Sequence, residues 1–155
     1  MRKILLDGVW EGMRSSNGST FPATVPGCVH TDLMKIGQLP GDIYWRDTAK
    51  QVQWIENEAW IYTRHFTVDA LAEGATLVFE CLDTYADIYL NDYLVGSADN
   101  MFVTHRFPVD GKLNQRENTL RVVFSSPVER TKDAPSRSAA FSRNRGYVAV
   151  SHPNQ

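Results

Sequence analysis

The chain has 155 residues, 43% of them hydrophobic and 22% charged, with a formal net charge of −2. That length is about one domain's worth, and a chain of this size buries roughly 68–70% of its unfolded surface, so a core forms without disulfide or metal staples. The composition excludes a disordered chain, and the absence of a basic excess argues against a nucleic-acid partner or an anionic membrane surface.

The first segment, MRKILLDGVW, has a short basic start but an apolar run of only three residues before Asp7. A secretory h-region needs roughly 7–15 apolar residues and a membrane span about 20, so neither is expected and a cytoplasmic location is. The two cysteines, Cys28 and Cys81, are expected as free, buried thiols that pack as small hydrophobes.

VPGCVHTDLMKIG, residues 25–37, combines a Pro-Gly break with Cys28, His30 and Asp32. Val29, Leu33 and Ile36 recur at spacings of four and three, which predicts a short helix near residues 29–36. Thr31 or Asp32 is expected to cap its start and Gly37 to end it. A Cys–His nucleophile needs a thiolate-favouring setting and an orienting third group, but Cys28 lies between Gly27 and Val29, entering an apolar segment, so a structural corner is expected, with Cys28 packed inward and His30 and Asp32 bonding locally.

From Trp60 onward the period is two. Trp60, Tyr62, Arg64, Phe66 and Val68 alternate with Ile61, Thr63, His65 and Thr67. Leu77, Phe79 and Cys81 are set against Val78 and Leu82. Ala86, Ile88 and Leu90 are set against Tyr85, Asp87 and Tyr89, and Leu120, Val122 and Phe124 against Thr119, Arg121 and Val123. These are strands with one buried face. Asn91-Asp92 reads as a hairpin turn because both residues tolerate positive φ; Asp110-Gly111, Gly74 and Gly96 punctuate further segments. Many short strands with such turns predict an all-β sandwich. The stretch from 131 to 146 is polar, with Pro135, several serines and clustered arginines, and reads as a long loop or linker; GYVAV then starts a strand. The expected organisation is a sandwich over 1–130, and a loop, final strand and linker over 131–155 toward further domains.

His30, His65, His105 and His152 are far apart, and no CxxC or HExxH occurs, so no metal site and no cofactor is expected. Paired carboxylates mark glycoside hydrolysis. Glu56 with Glu58 and Asp83 with Asp87 are candidates, but solvated surface charges and turn caps explain them as well. Trp45, Trp54, Trp60, Tyr44, Tyr85 and Tyr89 suit either packing or a carbohydrate platform.

VPGCVHTDL, VQWIENEAWIYTRHF, LVFECLDTYADIYLND, VGSADNMFVTHRF and ENTLRVVFSSPV occur in this order. Together, from about Leu6 to Val128, they resemble the N-terminal domain of the β-mannosidases of glycoside hydrolase family 2. The resemblance implies a jelly-roll β-sandwich like galactose-binding domains, followed in complete enzymes by an immunoglobulin-like sandwich and a (β/α)₈ barrel carrying both catalytic glutamates. It therefore assigns no catalytic residue to this chain. It implies a parent that hydrolyses terminal β-D-mannosides with retention, and partners that are a β-mannoside and the downstream domains. The loop LPGDIYWRDTAK would reach the mouth of the site with Asp42 and Tyr44, and Asn100 in ADNMF would face the barrel. The Asn-Glu of the family pattern is not matched here, since Asp47, Thr48 and Ala49 stand in that region. The alternative is an autonomous carbohydrate-binding module.

Overall fold

A computed structural model describes residues 2–42, 47–131 and 148–150, the last three as backbone. The strands are β1 (Gly8–Arg14), β2 (Thr20–Val25), β3 (Trp60–Val68), β4 (Thr76–Leu82), β5 (Ala86–Leu90), β6 (Tyr93–Ala98), β7 (His105–Pro108), β8 (Arg116–Phe124) and β9 (Val148–Val150). Three short helices, α1 (Val29–Lys35), α2 (Thr48–Gln51) and α3 (Pro127–Thr131), and a 3-10 turn over Gln53–Asn57 connect them.

One antiparallel sheet has six strands in the order β2-β1-β3-β8-β5-β6, and the other has three in the order β7-β4-β9. The two faces share one core, as the predicted jelly-roll sandwich requires. The alternation holds in β3, β5 and β8: Trp60, Tyr62, Ala86, Ile88, Leu90, Leu120, Val122 and Phe124 are all buried. Asn91 and Asp92 adopt φ of 49° and 67° and close the β5–β6 hairpin.

In β4 the alternation fails. The pairing with β9 runs Phe79 to Val150 and then Cys81 to Ala149, so an irregularity at Glu80 shifts the phase. Leu82 thereby joins Leu77 and Phe79 in the core, and Cys81 is left half-buried. Gly96 does not punctuate a segment. It lies inside β6, and a side chain there would meet the Phe107 ring.

Six strands facing three leave part of the wide sheet's inner face uncovered. Trp10, Phe21, Ala23 and Val25 on β1 and β2, with Trp60 and Tyr62 on β3, belong to one cluster with Val29 and Leu33 of α1, Leu39, Val52 and Ile55. Each such aliphatic side chain contributes about 1.5–3 kcal/mol on full burial. The aromatic rings interlock edge to face: Phe21 lies 6.3 Å from Tyr62 and Tyr62 lies 5.8 Å from Phe124. Gly12 makes this possible, because an added Cβ would sit 2.3 Å from the Phe21 ring.

The ends of α1 differ from the expectation at one end only. Cys28 occupies the N-cap without a side-chain cap bond, and Thr31 and Asp32 are not caps. At the other end Gly37 has φ +74°, its N–H bonds the Met34 carbonyl and Gln38 N–H bonds the Leu33 carbonyl, a Schellman closure. Asp32 faces inward with 1% exposure, and its Oδ1 accepts the Thr24 N–H of β2 at 3.1 Å. Among the described residues its Oδ2 is buried without a hydrogen bond of good geometry. Burial pushes the Asp32 carboxyl up, while the Thr24 N–H, the Lys35 charge and the Tyr62 hydroxyl pull it back part of the way. Tyr62 is pushed far up by burial and by the charge of Asp32, so it stays protonated.

Two outcomes follow for stability. Gly12→Ala lowers it by about 1–3 kcal/mol in urea unfolding through overpacking against Phe21, whereas Gly41→Ala, with open space at its Cβ, changes it by less than about 0.5 kcal/mol. For Asp32, a folded-state pKa above that of unfolded aspartate makes its contribution complete at low pH. That contribution is lost as pH rises through the folded value. Asp32→Asn keeps an acceptor for Thr24 and removes the charge, so its stability relative to the wild type rises between about pH 3 and pH 7. A constant difference across that range, measured by urea unfolding, contradicts the assignment.

Candidate functional site

The chemistry-bearing side chains gather where α1, the 3-10 turn and the start of α3 meet the sheet. Val29, His30, Ile55, Glu56, Glu58, Trp60, Tyr62, Asp83, Thr84, Phe124, Ser125 and Pro127 line a cavity of about 70 Å³. Ligand pockets run to roughly 300–1,000 Å³, so this one holds a small group or a few waters and not a sugar ring.

The carboxylates at this end are in different states. Glu58 accepts from Arg14 Nη2 at 2.6 Å and from Ser16 Oγ at 3.0 Å, and the Arg14 bond holds its carboxyl below the usual range. Glu56 is exposed. Asp83 is 8% exposed, not the solvated surface charge expected of it. Thr84 Oγ1 donates to Asp83 Oδ1, Oδ2 is buried without a hydrogen-bond partner among the described residues, and burial pushes the carboxyl up. Asp87 lies apart, accepting from Ser97 Oγ at 2.6 Å and facing Arg130 at 3.8 Å. The pairs 56/58 and 83/87 therefore do not form a matched acid and nucleophile. Among the described residues no cluster of three or more His, Cys, Asp and Glu is placed to hold a metal ion, and no helix is long and apolar enough to cross a membrane.

The aromatic residues pack. Trp60 is buried, its Nε1 donating to the Ile55 carbonyl at 3.0 Å, and Trp54 lies 6.0 Å from it with the Arg14 guanidinium 4.4 Å over the Trp54 ring. Arg130 covers Tyr85 at 5.3 Å and Arg121 covers Tyr89 at 4.9 Å. Trp45 lies outside the described residues.

Of the three residues expected at the mouth of a sugar site, Asp42 is exposed on the segment after α1, and Tyr44 lies outside the described residues. Asn100 is exposed just after β6. Its Oδ1 accepts the Phe102 N–H at 2.9 Å, and its carbonyl accepts the His105 Nε2–H at 2.8 Å. His105 stacks on Phe107 at 6.1 Å. Asn100 thus organises a loop that holds Phe102 out to solvent at 88% exposure. Nothing in the ADNMF pattern revealed this, because the turn depends on where β7 places His105.

Cys28 is half-buried, not packed inward, with Sγ 3.1 Å from Thr31 Oγ1. Burial raises its pKa, but hydrogen bonds involving His30 and Thr31 outweigh that and leave the thiol below its ordinary value. Cys81 is raised, by burial and then by the Asp83 charge. At pH near 7 iodoacetamide therefore alkylates Cys28 faster than Cys81, and His30→Ala slows the Cys28 reaction. Equal rates by mass spectrometry contradict this.

The profile of the family described as glycosyl hydrolase 2 galactose-binding domain-like matches residues 10–153. A β-mannosidase of Bos taurus is 34% identical over 142 residues, which are 89% of this chain and 16% of that protein. The β-D-mannosidase structure of Dictyoglomus thermophilum superposes with a TM-score of 0.78 at 36% identity, covering 93% of this chain and 18% of the other. The β-D-glucuronidase of the same organism shares the fold at a TM-score of 0.58 and 16% identity, covering 81% of this chain and 20% of the other. The chain thus spans about a fifth or less of the length of each of these three relatives. It belongs to the glycosyl hydrolase 2 galactose-binding domain-like family and corresponds to the N-terminal domain of β-mannosidase-like proteins.

Proposed function

We propose that this sandwich serves a longer protein that hydrolyses terminal β-D-mannosides with retention, and that it shapes the mouth of the active site and packs on a downstream barrel. The observation that carries the reading is the contrast in identity between two relatives of one organism, 36% to the β-D-mannosidase and 16% to the β-D-glucuronidase. The catalytic carboxylates belong elsewhere. A retaining pair needs two carboxyl groups about 5–5.5 Å apart, one protonated and one ionised. Here Glu58 is held by Arg14, Asp87 by Ser97 and Arg130, and Asp83 is buried. A barrel takes roughly 250 residues of its own, more than the 155 present. Asp42, Tyr44 and Asn100 are this domain's contribution to the mouth.

The 155-residue chain leaves 4-nitrophenyl β-D-mannopyranoside unhydrolysed, whereas a protein that carries this domain followed by the barrel turns it over in preference to the β-D-glucuronide. Release of nitrophenol by the short chain, or a preference of the long one for the glucuronide, overturns the reading.

A further inference from the structure

The tip of the β1–β2 hairpin carries the sequence's one Asn-Gly pair, Asn17-Gly18. Residues 15–20 are all exposed. Asn17 Oδ1 accepts the Ser19 N–H at 2.9 Å, an Asx turn that folds the side-chain amide back along the next peptide unit. Gly18 has φ +69°, and open space stands where a Cβ would be. The Gly18 nitrogen and the Asn17 amide carbon thus share a turn with no side chain on residue 18 to hinder their approach. Other asparagines lack part of this arrangement. Asn91 and Asn118 engage both of their amide atoms in bonds inside the fold. Asn100 makes the same turn, its Oδ1 accepting the Phe102 N–H at 2.9 Å, but Met101 follows it.

We propose that Asn17 is a site of self-modification, losing its side-chain amide through a cyclic imide with the Gly18 nitrogen and leaving aspartate and isoaspartate at the hairpin tip. Hydroxide takes the proton of the Gly18 N–H, and the nitrogen attacks Asn17 Cγ. The N–Cγ bond forms, the Cγ–Nδ2 bond breaks, and ammonia leaves with a proton from water. Water then opens the imide at either carbonyl, one opening giving aspartate and the other isoaspartate. The sum is amide plus water to carboxylate plus ammonium, with no change of oxidation state. The Ser19 N–H sits on the oxygen that becomes negative in the addition step, a donor already in place for an oxyanion. The bond from the Gly18 N–H to the Arg14 carbonyl, at 2.9 Å, opposes the step. The reaction therefore runs through openings of the exposed tip, which take little free energy. The Ser19 bond does not depend on the Arg14 bond, because it lies within the turn itself. The product adds one negative charge to a chain of formal net charge −2. The isoaspartyl form also lengthens the backbone of the tip by one atom. The inference is independent of the mannosidase reading, which makes no use of this hairpin.

The test is tryptic mapping by mass spectrometry of the folded chain after storage in mildly alkaline and in mildly acidic buffer, with an unstored sample as the control. Isoaspartyl methyltransferase with labelled S-adenosylmethionine marks the β-linked product. Peptide 15–35 holds Asn17 as its sole asparagine, and peptide 65–106 holds Asn91 and Asn100. Peptide 15–35 is expected to gain one mass unit, faster in the alkaline buffer, and to yield both aspartyl and isoaspartyl forms. It runs ahead of peptide 65–106 by about tenfold or more. Gly18→Ala slows the gain by about tenfold or more, through the Cβ it adds beside the attacking nitrogen. Asn17→Gln removes it, because glutamine has to close a larger ring. Where Gly18→Ala loosens the hairpin, Asn17→Gln and the isoaspartyl signal carry the decision. No mass gain in 15–35, a gain as aspartate alone, equal rates in the two buffers, or a rate matched by 65–106 overturns the proposal.

Discussion

The constraint on which the rest of this domain depends is the unequal width of its two sheets. Six strands present an apolar face that three cannot cover. Exposed, that surplus of Trp10, Phe21, Val25 and Tyr62 would be a large apolar patch. The chain covers it with α1 and the segment through the 3-10 turn, placing Val29, Leu33, Leu39, Val52 and Ile55 against the rings. The helix has only seven residues, too few to be stable alone. It persists because Gly37 closes one end, Asp32 ties it to Thr24 of β2, and its apolar side chains are buried on the sheet.

This solution creates a seam, and the chemistry sits on it. A helix and a tight turn laid over a twisted sheet leave a gap at the end where β3 begins and β8 stops. Asp83, at the end of β4, is drawn into that gap beside aromatic side chains that the core already required. A buried carboxyl is thus a consequence of how the cover meets the sheet. The reactive-looking stretch at 25–37 has the same origin. Cys28, His30 and Asp32 stand close together because they initiate the covering helix. The altered thiol of Cys28 follows from its local partners and not from a catalytic arrangement.

Much of the strand content was legible because half-buried strands impose period two on the residues themselves. Trp60, Tyr62, Ile88, Leu90, Leu120 and Val122 all lie on the face that alternation assigns. The Asn91-Asp92 turn was legible for a local reason, since few side chains accept positive φ at two consecutive positions. Leu82 and Cys81 were not, because the irregularity at Glu80 arises in the pairing with β9, some seventy residues away. Asp83 was visible as a carboxylate but not as a buried one. Burial depends on which elements pass over a residue, and α1, the 3-10 turn and α3 come from distant parts of the chain. Asn100 was marked by its motif, whereas its role in holding Phe102 outward depends on His105 across the loop.

By itself the sequence determined the fold class, the positions of most strands and the family, because these rest on local period, turn chemistry and the order of motifs. Only the tertiary structure decided that the sheets are unequal, that α1 is a cover, and that Asp83 is buried beside Trp60, Tyr62 and Phe124. The physical reason is that alternation tells each residue which face it occupies, while the number of strands opposite that face is set by pairings between segments far apart in the chain.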